Sequence, residues 1–139
     1  MSDEKNTDTI RVLLVKPGEK AEMVDMGEDL DSMQQMVGGM IEEYMPFDDD
    51  VAIVCNDEGK MRGMPLNRGI RGENGALQDI IAGPFFVCYA PIESEKFLSL
   101  PPEFEKKYEA MFRNPETFYQ TPDGIIAISH VPTAREMER

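Results

Sequence analysis

Val51-Ala52-Ile53-Val54-Cys55 is an unbroken apolar run of strand length, and Phe85-Phe86-Val87-Cys88-Tyr89 is a second. A half-exposed strand would alternate apolar with polar residues, whereas runs without alternation read as central strands buried on both faces. The first run is preceded by Asp48-Asp49-Asp50 and followed by the turn Asn56-Asp57-Glu58-Gly59. Lys60 to Met64 is expected to pair back as the hairpin partner, until Pro65 removes a backbone donor and ends the ladder. A loop with three evenly spaced glycines, Gly69, Gly72 and Gly75, comes next. Leu77 to Ala82 stays open between a helical turn and an extended lead-in, and Gly83-Pro84 opens the second run.

Upstream, the β-branched run Ile10 to Val15 stops at Pro17-Gly18, and Ala21 to Met26 can return as the second arm of a hairpin. Asp29 suits an N-cap for a helix that places Leu30, Met33, Met36 and Val37 on one face. Gly38-Gly39 fits its end, where left-handed backbone excludes most side chains. Met40 to Met45 reads as a short strand closed by Pro46. Downstream, Pro101-Pro102 suit a helix start, where a missing amide donor does no harm, and Phe104, Tyr108, Met111 and Phe112 share a face. Asn114-Pro115 breaks that helix, Thr121 to Gly124 turns, and Ile125 to Ile128 offers a last strand. The expected fold is α+β: a small mixed, largely antiparallel sheet with two helices in a single domain over residues 10–131. A disordered leader (1–9) and a polar tail (132–139) are expected to flank it.

The chain has 139 residues, a length for one domain, with 27 acidic against 14 basic side chains and a net charge of −13. That balance opposes direct binding to nucleic acid or anionic lipid, whose phosphates must be neutralised by Lys and Arg. No apolar stretch reaches membrane-spanning length and no secretory signal is recognisable, so a cytoplasmic location and no membrane partner are expected. The charge is unevenly placed. Glu19 to Asp50 holds eleven acids against the single base Lys20, a net of −10, whereas Lys60 to Arg71 holds four bases and no acid.

Catalytic constellations are missing. His130 is the only imidazole, and its neighbour Ser129 would point to the opposite face of a strand. Cys55 and Cys88 sit in apolar strands, where burial blunts a thiol, and form no CxxC metal clip. Asp48-Asp49-Asp50 and Asn56-Asp57-Glu58 are held about 17 Å apart by the strand between them, too far to share a Mg²⁺ ion. Gly69-Ile70-Arg71-Gly72 matches the short GxxG of KH domains but lacks their flanking apolar helices. No catalytic residue, metal ligand or cofactor is therefore assigned.

Candidate ligand-binding residues concentrate between Asn56 and Arg71: Asn56, Lys60, Arg62, Asn67, Arg68 and Arg71. Arg grips a phosphate or carboxylate through two parallel hydrogen bonds, and Asn reads an amide or base edge, so an anionic small-molecule pocket is one reading. In the other, Arg68 and Arg71 pair with nearby acids and Asn67 caps a turn.

Several of these residues belong to ordered blocks: Gln34 to Glu42, Val54 to Lys60, Pro65-Leu66-Asn67-Arg68, and Asp79 to Phe86. Together they resemble the family known as domain of unknown function 3846, over roughly Ile10 to Phe112. The resemblance brings no catalytic residues, and places Asn56, Lys60, Asn67 and Arg68 in the family's recurrent motif. It implies a setting among small accessory proteins of bacterial phages, plasmids and conjugative elements, often non-enzymatic binders that interfere with host systems. The expected function is accordingly a non-catalytic binding protein, an anti-defence factor capturing a nucleotide-like anion at Asn56 to Arg71. One alternative is an acidic DNA mimic that inhibits a basic host protein. Another is an enzyme acting on a phosphorylated substrate. Strand edges and eleven methionines are compatible with a homodimer.

Overall fold

Val51–Asn56 (β4) and Phe85–Tyr89 (β7) lie side by side and antiparallel, with Ile53 opposite Val87. They form the middle of a five-stranded sheet in this computed structural model, which describes residues 8–131. Thr9–Val15 (β1) pairs with the other side of β7, and Glu22–Gly27 (β2) and Ile41–Tyr44 (β3) close the two edges. The order is β2-β1-β7-β4-β3. Leu66–Arg71 (β5) with Leu77–Ala82 (β6), and Glu116–Thr121 (β8) with Gly124–Ser129 (β9), make two separate hairpins. Every strand pairing among the described residues is antiparallel, and two helices complete an α+β fold.

The apolar runs lack alternation because both faces of the sheet are covered. On one face, Val12, Ala52, Val54, Phe86 and Cys88 pack against Met33 and Val37 of helix Leu30–Val37 (α1). On the other, Leu13, Ile53, Phe85 and Val87 meet Ile70 and Ile81 of the β5–β6 hairpin and Tyr108 and Phe112 of helix Pro102–Phe112 (α2). Each fully buried Val, Ile or Phe contributes about 1.5–3 kcal/mol, which makes this double-sided core the main stabilising element. Local signals agree with it. Asp29 accepts the Ser32 amide at 3.0 Å as N-cap of α1, and Gly38 ends the helix at φ 81°.

Three stretches depart from expectation. Lys60 to Met64 is a wound turn, with the Arg62 amide on Glu58 O at 2.9 Å and the Met64 amide on Gly59 O at 3.0 Å. It cannot pair with β4, because β3 and β7 already occupy both edges of that strand. The hairpin begins only after Pro65, so the glycine-containing stretch read as a loop supplies β5, and Leu77 to Ala82 settles as the strand β6. Glu116–Thr121 is a strand that went unrecognised. Finally, Thr9 already belongs to β1, and Asp8 O accepts the Glu28 amide at 3.0 Å, so two residues assigned to the leader are structured. The rest of the expected leader and the whole tail lie outside the described residues. No helix among the described residues is long and apolar enough to cross a membrane.

Candidate functional site

The segment singled out for ligand binding splits into two groups, and β5 explains why. A register shift between Leu66 and Arg68 inserts one extra residue opposite β6. Such a bulge re-aims side chains. Consecutive Asn67 and Arg68 are both buried, with no exposed surface. Asn67 Nδ2 donates to Val15 O at 2.9 Å and Gly83 O at 2.8 Å. Arg68 donates to Phe112 O at 3.1 Å, to Glu19 O at 2.6 Å and to Asn67 Oδ1 at 2.9 Å. Burial pushes the guanidinium pKa down to about 10, opposed by the negative charge of Glu116. The group stays protonated at neutral pH and its charge is held by carbonyl dipoles. It ties the β1–β2 turn, β5 and the end of α2 together. The expected pairing of Arg68 with a neighbouring acid is replaced by this carbonyl clamp.

The other four residues are also engaged. Asn56 is buried: its Nδ2 donates to Val37 O at 3.2 Å and its Oδ1 accepts the Glu58 amide at 2.8 Å. Lys60 pairs with Asp79 at 2.8 Å, and Arg62 with Glu58 at 3.3 Å. Arg71 donates to Ala127 O at 3.0 Å and stands 3.7 Å from Glu116. Gly69 and Arg71 lie in the paired strand β5, so the GxxG match does not form a phosphate-clamping turn. The six candidates therefore do not converge on one surface: Asn67 and Arg68 hold the interior, Arg71 fastens the β8–β9 hairpin, and Asn56 and Lys60 border a cavity.

That cavity, of about 220 Å³, lies between β3, the turn after β4 and β6. Its walls carry Glu42, Asp57, Glu58 and Asp79 against the single base Lys60, so its field is negative, opposite to that expected of the segment. Burial alone would raise the Asp79 carboxyl. Hydrogen bonds from Lys60 and the Ile80 amide outweigh it and hold Asp79 below the usual carboxylate range. Burial, followed by the charge of Asp79, raises the Tyr44 hydroxyl. Cys55 also lines the cavity, but burial and then the charge of Glu42 push its thiol up to about 11, which removes the thiolate needed for nucleophilic attack at neutral pH. Tyr44 and Asp79 escaped sequence reasoning because each belongs to a different strand from the motif, and only sheet pairing brings them beside Lys60. Among the described residues, no three His, Cys, Asp or Glu side chains are grouped so as to hold a metal ion.

The acidic stretch behaves differently. Asp49 is drawn into contacts with Lys107 and Tyr108, Glu28 faces Lys96, and Asp29 caps α1. The remaining eight of the eleven acids are exposed and make no ion pair with another described residue. Glu22 and Asp25 lie on the edge strand β2, with Glu19 just before it. Glu42 and Glu43 lie on the opposite edge strand β3, with Asp48 and Asp50 just after it, and Asp31 on α1. Four inter-strand spacings put the two acidic edges about 19 Å apart.

No curated protein and no solved structure matches the chain. The family model described as domain of unknown function (DUF3846) matches residues 10–113, which takes in the sheet, both helices, the β5–β6 hairpin and the buried Asn67–Arg68 pair, and leaves β8–β9 outside. The chain belongs to the DUF3846 family.

Proposed function

We propose that the protein is a non-catalytic binding protein whose acidic surface occupies the basic, phosphate-gripping face of a partner protein, in the manner of a DNA mimic. One observation carries this reading. Of the four bases between Lys60 and Arg71, Arg68 is buried and Lys60, Arg62 and Arg71, though exposed, are each paired with an acid, whereas eight exposed acids between Glu19 and Asp50, at the sheet edges and on α1, make no ion pair with another described residue. The field presented outward is therefore negative. Such a field attracts and orients a basic partner and repels nucleic acid itself. The mobile-element setting implied by the family resemblance suits this role, since a host protein that grips DNA is a natural target for interference. Capture of an anionic small molecule is the weaker reading, because Asn67 and Arg68 offer no exposed surface and the neighbouring cavity is lined mainly by carboxylates.

The test is capture of bacterial proteins on the immobilised chain, followed by competition. The expected partner is basic, is released by duplex DNA, and loses affinity steeply as ionic strength rises from about 0.05 to 0.3 M. A variant carrying Glu42→Lys, Glu43→Lys and Asp48→Lys should fail to retain it. Retention that ignores salt and duplex DNA, or that survives the charge reversal, would overturn the proposal, as would a column that retains nothing.

A further inference from the structure

We infer that the outer face of the β8–β9 hairpin is an interface with a second copy of this chain. Among the described residues, the hairpin is fastened to the body by one side only. Glu116 Oε1 accepts the Gly69 amide at 2.7 Å and Arg71 donates to Ala127 O at 3.0 Å. Strand alternation then fixes what faces away. Glu116, Phe118 and Ala127 turn toward β5, while Thr117 opposite Ile128 and Tyr119 opposite Ile126 form the outer face. Tyr119 is 49%, Ile126 45% and Ile128 51% exposed.

Charge selects the occupant. The chain carries −13, and a second copy meets like charge at both sheet edges, where Glu22, Asp25, Glu42 and Glu43 stand. Among the described residues, the strand positions of the outer hairpin face carry no charged side chain; Asp123 stands at the tip of the turn, and Glu116, at the base of the inner face, is matched by Arg71. A basic partner finds nothing to neutralise there. A second copy, approaching about a two-fold axis, brings Tyr119 onto Ile126 or Ile128 of its mate, an aromatic on β-branched contact of the kind that stabilises sheets, and keeps the acidic edges apart.

Sedimentation of the full chain from micromolar to millimolar concentration tests this. The weight-average mass should climb from 15.7 kDa toward twice that value. The variant Ile126→Lys with Ile128→Lys should remain at the monomer mass, and Glu43→Lys should still dimerise. Hydrogen exchange of the unmodified chain supplies a reading independent of any variant: amides of β8 and β9 should gain protection with concentration, and those of β3 should not. A monomer at every concentration overturns the inference, and so does a dimer indifferent to the paired lysines or protected at β2 or β3. Full hairpin protection already present in the dilute monomer would mean that the chain covers this face itself, and would equally overturn it.

Discussion

Arg68 donates from Nε to the carbonyl of Phe112 at 3.1 Å, and so joins β5 to the last residue of α2. A helix end leaves its final carbonyls unpaired and slightly negative, and a buried cation is a suitable partner for them. The same guanidinium serves Glu19 O and Asn67 Oδ1, so one side chain satisfies acceptors from three parts of the fold. Arg68→Met should therefore lower stability by about 3–5 kcal/mol, since it strands several buried acceptors at once. Arg68→Lys should fall between, because a single ammonium cannot reproduce the planar fork. Urea unfolding of both variants reads this directly. Stability equal to that of the parent would return Arg68 to the list of ligand-binding groups.

Gly59 follows the Asx turn of Asn56 and lies directly over β6. A Cβ at this position would stand 2.5 Å from the carbonyl oxygen of Ala82, a backbone atom that cannot rotate away. Gly59→Ala is expected to destabilise the fold by about 1–3 kcal/mol, through displacement of the turn from the hairpin it covers. The thermal midpoint should fall, and Lys60 should lose its hold on Asp79. An unchanged midpoint would show that the turn slides freely on β6.

Much of the five-stranded sheet was legible in the sequence because burial on both faces leaves a direct trace. Val51 to Cys55 and Phe85 to Tyr89 have no polar residue to misplace, and Asp29 and Gly38 punctuate α1 through local geometry alone. The β5–β6 hairpin was not legible for the opposite reason. Beside Ile70 and Ile81, its inward positions include the polar pair Asn67 and Arg68, whose backbone carbonyl partners at Val15, Gly83, Phe112 and Glu19 lie 16 to 52 positions away in sequence, so no local pattern marks them as interior. The same remoteness conceals that Asn67 and Arg68 hold carbonyls of the interior: chemistry suited to gripping an anion is equally suited to gripping carbonyls. Gly69 was visible only as a loop glycine, although a Cβ there would collide with Cδ1 of Leu77 on the paired strand β6. Eight of the eleven acids in the acidic stretch are exposed, and exposed charge needs no distant partner to be read from sequence.

The two thiols should be silent toward aqueous disulfide reagents in the native state. Cys88 is buried in β7 and its pKa is pushed far up by desolvation, with the charge of Glu43 adding to it. Cys55 borders the cavity, yet its Sγ stands 3.8 Å from Glu42 O and its pKa is raised to about 11. At neutral pH both are thiols, and reaction requires the thiolate. Titration with a chromogenic disulfide should release two equivalents in denaturant and close to none before unfolding. A rapid burst of one equivalent from the folded chain, mapped to Cys55, would instead show a reactive group in the cavity and revive an enzymatic reading.

Asp49 links the acidic loop after β3 to α2. Its carboxylate accepts from Lys107 Nζ at 2.6 Å and from Tyr108 Oη at 2.7 Å, and these two hydrogen bonds, Lys107 first, hold its pKa below the ordinary 3.8. A carboxyl depressed by folding stabilises the native state at every pH above its unfolded value, and that contribution is lost as pH falls through the lower, folded value. The tether should thus be intact from neutrality down to about pH 4 and fail only in stronger acid. Asp49→Asn removes the ionisation and keeps the shape. Urea midpoints for parent and variant, measured from pH 7 to about pH 2.5, should differ by a constant amount at the upper end and converge at the lower, with the other carboxylates cancelling in the difference. A gap that stayed constant into strong acid would show that Asp49 holds α2 by packing, with no part played by its charge.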